Sequence, residues 1–167
     1  FPPGSCSSTG RSAAQFKLKT SEKSGILYSS VIERGKRMSD RKPLIAGNWK
    51  MNLDLEGAIA LVKAVADSII DLDEVDVLVA PPFTALTTVK QAIGHSRILL
   101  SAQNMHWEIN GAFTGEISGR MLQETGCTHV ILGHSERRML FKETSEQIDL
   151  KAKAAIALGL VPILCIG

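Results

Sequence analysis

Short runs of apolar residues recur along this chain at regular intervals, each followed by a stretch with helical spacing. The runs Leu44–Asn48, Val75–Ala80, Ile98–Gln103, His129–Gly133 and Val161–Ile166 begin about 23 to 32 residues apart, the interval a strand–helix–strand unit needs. Continuous stretches such as Val77-Leu78-Val79-Ala80 suit parallel strands covered on both faces. Between them, Ala58, Leu61, Val62, Val65 and Ile69 repeat at the period of an amphipathic helix, predicted over Asp54–Ile70. Further helices are predicted near Thr84–Ile93, closed by Gly94, and over Ser118–Thr125, closed by Gly126. Thr144-Ser145-Glu146-Gln147 has the capping-box pattern and opens a helix that runs to about Leu158, with Gly159 as its stop. Strand and helix alternate throughout, which predicts an α/β fold with a parallel sheet.

One connection is unusually long. Asn104 to Gly115 carries Met105, Trp107, Ile109 and Phe113, and long loops in compact domains are mostly functional. Exposed aromatics there point to burial against a partner subunit; otherwise the loop folds on its own surface.

Residues 1–42 differ from the rest of the chain. They are rich in Ser, Gly and basic residues, and their apolar residues form no face. The segment lacks the continuous apolar centre of a secretory signal and reads as a disordered or transit-like leader, with Met38 as an alternative natural start. The domain proper is expected over residues 43–167. A transit role would place the protein in a plastid or mitochondrion; without one the cytoplasm is expected. The net charge of +2 gives no footprint for nucleic acid, and no apolar run approaches the roughly 20 residues that span a bilayer. Cys6, Cys127 and Cys165 cannot all pair and indicate a reducing compartment, with Cys165 expected to be buried.

Two polar clusters come directly after predicted strands. Asn48 and Lys50 sit at the end of the first, and strand alternation would send both side chains to one side. An ammonium and an amide there could hold an anion and stabilise charge developing on oxygen, although a lysine after a strand is by itself an ordinary solvated charge. Trp49 is expected to face away and pack. His134, in Gly133-His134-Ser135-Glu136-Arg137-Arg138, sits where a helix or turn opens. The free amides there disfavour imidazolium and keep the ring neutral, able to donate to a carbonyl. Glu136 can pair with a neighbouring cation. His95, His106 and His129 look ordinary, and the spacing of Cys127, His129 and His134 matches no usual zinc site. Neither dinucleotide nor P-loop glycine motifs occur.

Taken together, Ala46-Gly47-Asn48-Trp49-Lys50-Met51-Asn52, Gln103-Asn104, Gly111-Ala112-Phe113-Thr114-Gly115-Glu116, Gly133 to Arg138 and Cys165-Ile166-Gly167 resemble triosephosphate isomerase in order and spacing, from Leu44 onward. The resemblance implies a (β/α)8 TIM barrel of which about the first five βα units are here. It implies interconversion of dihydroxyacetone phosphate and D-glyceraldehyde 3-phosphate through an enediolate, with no cofactor and no metal. His134 would be the electrophile, Lys50 would hold the phosphate end, Asn48 would assist, and Glu136 would organise the charges around Lys50. Ser135 and Cys165 would line or support the site. A homodimer is implied, with Gln103, Asn104, Thr114, Gly115 and Arg138 at its interface and Asn104–Gly115 as the interdigitating loop. The family's glutamate base, lid and glycine-rich phosphate loops lie in later βα units. The chain therefore reads as a fragment, incomplete at the C-terminus, without the general base and inactive alone. Another phosphosugar barrel enzyme, or a non-catalytic dimerising barrel protein, would be the alternatives; a Schiff-base lysine inside a strand or metal ligands would mark the former.

Overall fold

The computed structural model describes residues 41–166; the leader and its targeting role lie outside the described residues. Five parallel strands, β1 (Leu44–Asn48), β2 (Asp76–Ala80), β3 (Leu99–Ala102), β4 (His129–Leu132) and β5 (Val161–Leu164), lie side by side in sequence order. Every crossover therefore runs to the next neighbour, and the sheet curls into a half-barrel. All five strands predicted from the apolar runs are present, mostly shorter by one or two residues at an end.

The connecting helices are α1 (Leu55–Ser68), α2 (Leu86–Ile93), α3 (Gly119–Glu124), α4 (Ser135–Leu140) and α5 (Ser145–Ala157). A single 3-10 turn, Phe83–Ala85, precedes α2. Four of the helix starts are set by side-chain caps that satisfy first-turn amides, that of α4 by His134. The Asp54 carboxylate accepts from the Gly57 amide at 2.8 Å, and Ser118 accepts from Met121. Thr144 and Gln147 form the full reciprocal box, at 3.3 and 3.0 Å. None of the described helices is long and apolar enough to cross a membrane.

The main core lies between sheet and helices, where Val62, Val79, Leu86, Leu100, Val130 and Leu132 are almost fully enclosed. Of the predicted α1 stripe, Ala58 and Val62 are buried and Val65 and Ile69 pack against them, but Leu61 faces solvent. Cys127 belongs to this core, and burial pushes its thiol up, against the opposing effects of Thr125 and Lys90. The alternate strand positions Leu78, Ala80 and Ile131 form a smaller cluster with Leu99, Ile163 and Cys165. Cys165 is thus half-buried rather than enclosed, because no further strand among the described residues covers β5. The outer strands are correspondingly bare: Ile45 of β1 is 59% exposed and Val161 of β5 is 51% exposed.

The loop Asn104–Gly115 departs from expectation at its base. Met105 is buried in this chain's own core, and His106 is also buried. The His106 ring stacks on Trp107 at 4.1 Å and meets Phe113 at 4.2 Å between centroids. The His106 amide donates to the Ile117 carbonyl at 2.8 Å, tying the start of the loop to its end. Only the tip, with Ile109, Phe113, Thr114 and Gly115, stands in solvent.

Candidate active site

A cleft of about 390 Å³ opens at the carboxyl ends of the strands. Its polar lining includes Asn48, Lys50, Gln103, His134 and Glu136, with Asn104, Glu116 and Arg137 also on the wall, and Phe83, Leu86, Met105 and Phe141 supply apolar wall. Parallel α/β barrels carry their chemistry at this end.

Lys50 does not arrive there by strand alternation. β1 ends at Asn48, and Lys50 adopts a left-handed backbone with φ 54°, an uncommon conformation for a side-chain-bearing residue. Three groups hold it. The Asn48 side-chain oxygen accepts from the Lys50 amide at 2.9 Å, and the Trp49 amide donates to the Ala80 carbonyl at 3.0 Å. The Gln103 carboxamide donates to both the Lys50 and Ala80 carbonyls at 2.8 Å. Trp49 packs against the helix-side core, as expected. The Lys50 ammonium then reaches Glu136 Oε1 at 2.6 Å. That hydrogen bond chiefly holds the Glu136 carboxyl below its ordinary value, with desolvation opposing and the charge of Lys50 adding to it.

His134 caps α4. Its Nδ1 accepts from the Glu136 amide at 3.2 Å, so that nitrogen carries no proton and the hydrogen sits on Nε2. Glu136 Oε2 also lies 3.4 Å from Nδ1. The two contacts cannot both be favourable in one protonation state. The amide contact prevails, because without it a first-turn N–H of α4 would lose its partner. That contact leaves Nε2 as the ring nitrogen free to donate.

Ser135 is exposed as the first residue of α4 and, like Cys165, does not line the cleft. Gln103, expected at a subunit interface, instead bridges the Lys50 carbonyl and the Ala80 carbonyl at the end of β2. Asn104 accepts from the buried Lys151 ammonium at 2.9 Å. Arg138 makes all three of its side-chain hydrogen bonds within the chain. The structural roles of Gln103 and Lys151 are not legible from charge patterning; for Gln103 the signals are its place after an apolar run and the Gln103-Asn104 pair in the family resemblance.

A half-barrel of parallel strands with an ammonium, an imidazole and a carboxylate at the strand ends defines a partial (β/α)8 barrel. The family model described as triosephosphate isomerase matches residues 43–167. Similar proteins named triosephosphate isomerase include that of Herpetosiphon aurantiacus, 52% identical over 127 residues, and that of Carboxydothermus hydrogenoformans, 56% identical over 127 residues. Each alignment covers 76% of this chain and 51% of the relative. The crystal structure of triosephosphate isomerase from Bartonella henselae superposes with a TM-score of 0.72 at 40% identity, over 76% of this chain and 52% of that one. The chain belongs to the triosephosphate isomerase family. It spans about half the length of the curated relatives it matches.

Proposed function

We propose that the protein acts as a triose-phosphate isomerase, interconverting dihydroxyacetone phosphate and D-glyceraldehyde 3-phosphate in glycolysis and gluconeogenesis. The observation that carries this is the contact of the Glu136 amide with His134 Nδ1, which supports a neutral ring with its N–H on Nε2, in one cleft with the Lys50 ammonium. Removing a proton from the carbon next to a carbonyl drives an electron pair onto the carbonyl oxygen, giving an enediolate. A neutral imidazole can donate to that oxygen and pass a proton between the two oxygens, and a fixed ammonium offsets the charge without reorganising. Triosephosphate isomerase is itself the standing illustration of this pairing of a carboxylate base with a neutral histidine. Asn48 supports the site by fixing the Lys50 turn, and Lys50 also attracts the substrate phosphate.

The carboxylate base is not among these groups. Glu136 is held by Lys50, so the base belongs to the half of the relatives that this chain does not span. The Lys50–Glu136 pair also speaks against a Schiff-base aldolase, which requires a neutral amine. The whole protein is read as a cytoplasmic homodimer, joined through the exposed loop tip at Thr114 and Gly115. The free thiols of Cys127 and Cys165 favour a reducing compartment.

In the full-length protein, His134→Gln should lower kcat by about 10²–10³-fold, the usual loss of one oxyanion donor, with far less effect on KM. An unchanged kcat would remove His134 from the chemistry.

A further inference from the structure

We propose that Arg138 is a positioning residue for His134, locking the turn after β4 so that Nε2 is aimed into the cleft; this rests on the isomerase reading of that cleft. One residue holds the peptides on both sides of the imidazole-bearing position. The Arg138 side chain donates from Nε to the Gly133 carbonyl at 2.9 Å, and its backbone amide donates to the His134 carbonyl at 3.1 Å. With both flanking carbonyls bound, the backbone of His134 (φ −53°, ψ 142°) has little room to rotate.

The guanidinium is itself anchored. Nη2 donates to the Cys165 carbonyl just beyond β5 at 3.2 Å, and Nη1 to Ser145 Oγ at the start of α5 at 3.2 Å. The turn is thereby referenced to the neighbouring strand and helix rather than only to its own loop. Three nitrogens of a planar fork meet three acceptors in different directions, which a lysine's single ammonium cannot copy.

Gly133 provides a separate observation. It has φ +70°, and a Cβ there would come within 2.8 Å of Ile148 Cδ1 and 3.1 Å of Arg138 Nη2. The guanidinium and the Ile148 side chain fill the space that a side chain at 133 would need, so turn and clamp are built around each other. Loss of the clamp frees the Gly133 carbonyl and the turn together. A displacement on the order of 1 Å in a catalytic group costs up to about 10²-fold in rate.

The test uses the full-length protein carrying Arg138→Lys or Arg138→Ala. For either variant we expect kcat to fall about 10- to 100-fold while KM moves less than about 3-fold. Nitrogen NMR of the His134 ring should change from a single Nε2–H tautomer in the parent to a mixed population in the variants. Free guanidinium ion at sub-denaturing concentration should recover part of the activity of Arg138→Ala and leave the parent unaffected. A variant kcat within about 2-fold of the parent would overturn the proposal, as would a lowered kcat with the His134 tautomer unaltered. If Arg138→Ala does not fold, Arg138→Lys decides by the same two readings. A parent with no isomerase activity overturns the functional reading instead, and the tautomer measurement then still decides the clamp.

Discussion

Lys50 reaches the cleft by a backbone geometry that its place in the sequence does not suggest. Its place after an apolar run marks it as a strand-end cation, and alternation would aim it with Asn48. In the structure Asn48 is not its companion but its support, accepting the Lys50 amide across a left-handed turn. Such a turn depends on a glutamine distant in sequence, Gln103, so no local pattern can announce it. The Lys50–Glu136 pair gives a titration prediction. Glu136 is held below its ordinary value of 4.5, first by the Lys50 hydrogen bond. A depressed carboxyl contributes stability that is fully present above 4.5 and is lost as pH falls through the lower folded value. Carboxyl NMR on the full-length protein should therefore place Glu136 below 4.5, and Lys50→Met should move it upward. A parent value at or above 4.5 would contradict the pair.

At the scale of elements, the strands and most helix starts could be read in advance because their determinants are local. Asp54, Ser118 and Thr144 cap the helices that the periodicity predicts. What joins elements was not readable. Lys151 of α5 and Glu143 of the turn before it form a buried ion pair, with Asn104 as a further acceptor. Arg137 Nε lies 3.3 Å from Glu143 Oε2, close enough to attract, although neither atom makes a hydrogen bond with acceptable geometry. Nothing in Lys151-Ala152-Lys153 distinguishes the buried lysine from Lys153, which pairs with Asp149 in solvent. Breaking a buried pair from one side strands a charge. Lys151→Met should cost about 3–5 kcal/mol in urea unfolding of the full-length protein. Adding Glu143→Leu to it should recover a substantial part, and a neutral single substitution would show that the pair is solvated.

At the scale of the molecule, the half-barrel leaves the outer ladders of β1 and β5 without a strand partner among the described residues, with Leu44 and Ile45 beside one and Val161 and Leu164 beside the other exposed. Unpaired apolar edges template association. The 167-residue chain purified alone should show negligible turnover and should self-associate; near-normal isomerase activity from it would refute the assignment of the base to the unspanned half. The loop gives the companion prediction. Its base is tied to its own core through Met105 and His106, so only the tip remains to meet a second copy. Thr114→Asp should shift the full-length protein toward monomer in sedimentation velocity, and an unchanged profile would contradict the interface.

The bare outer side of β1 has a bearing on biosynthesis. In an eight-stranded barrel the first strand is completed by the last, so the portion of the chain made earliest needs a neighbour made at the very end. In a relative of which this chain spans 51%, translation of the remainder at roughly 5–20 residues per second leaves that ladder open for on the order of ten seconds. Throughout that interval the nascent protein presents a docking rail to other ribosomal products, and holding chaperones would have their principal claim on β1.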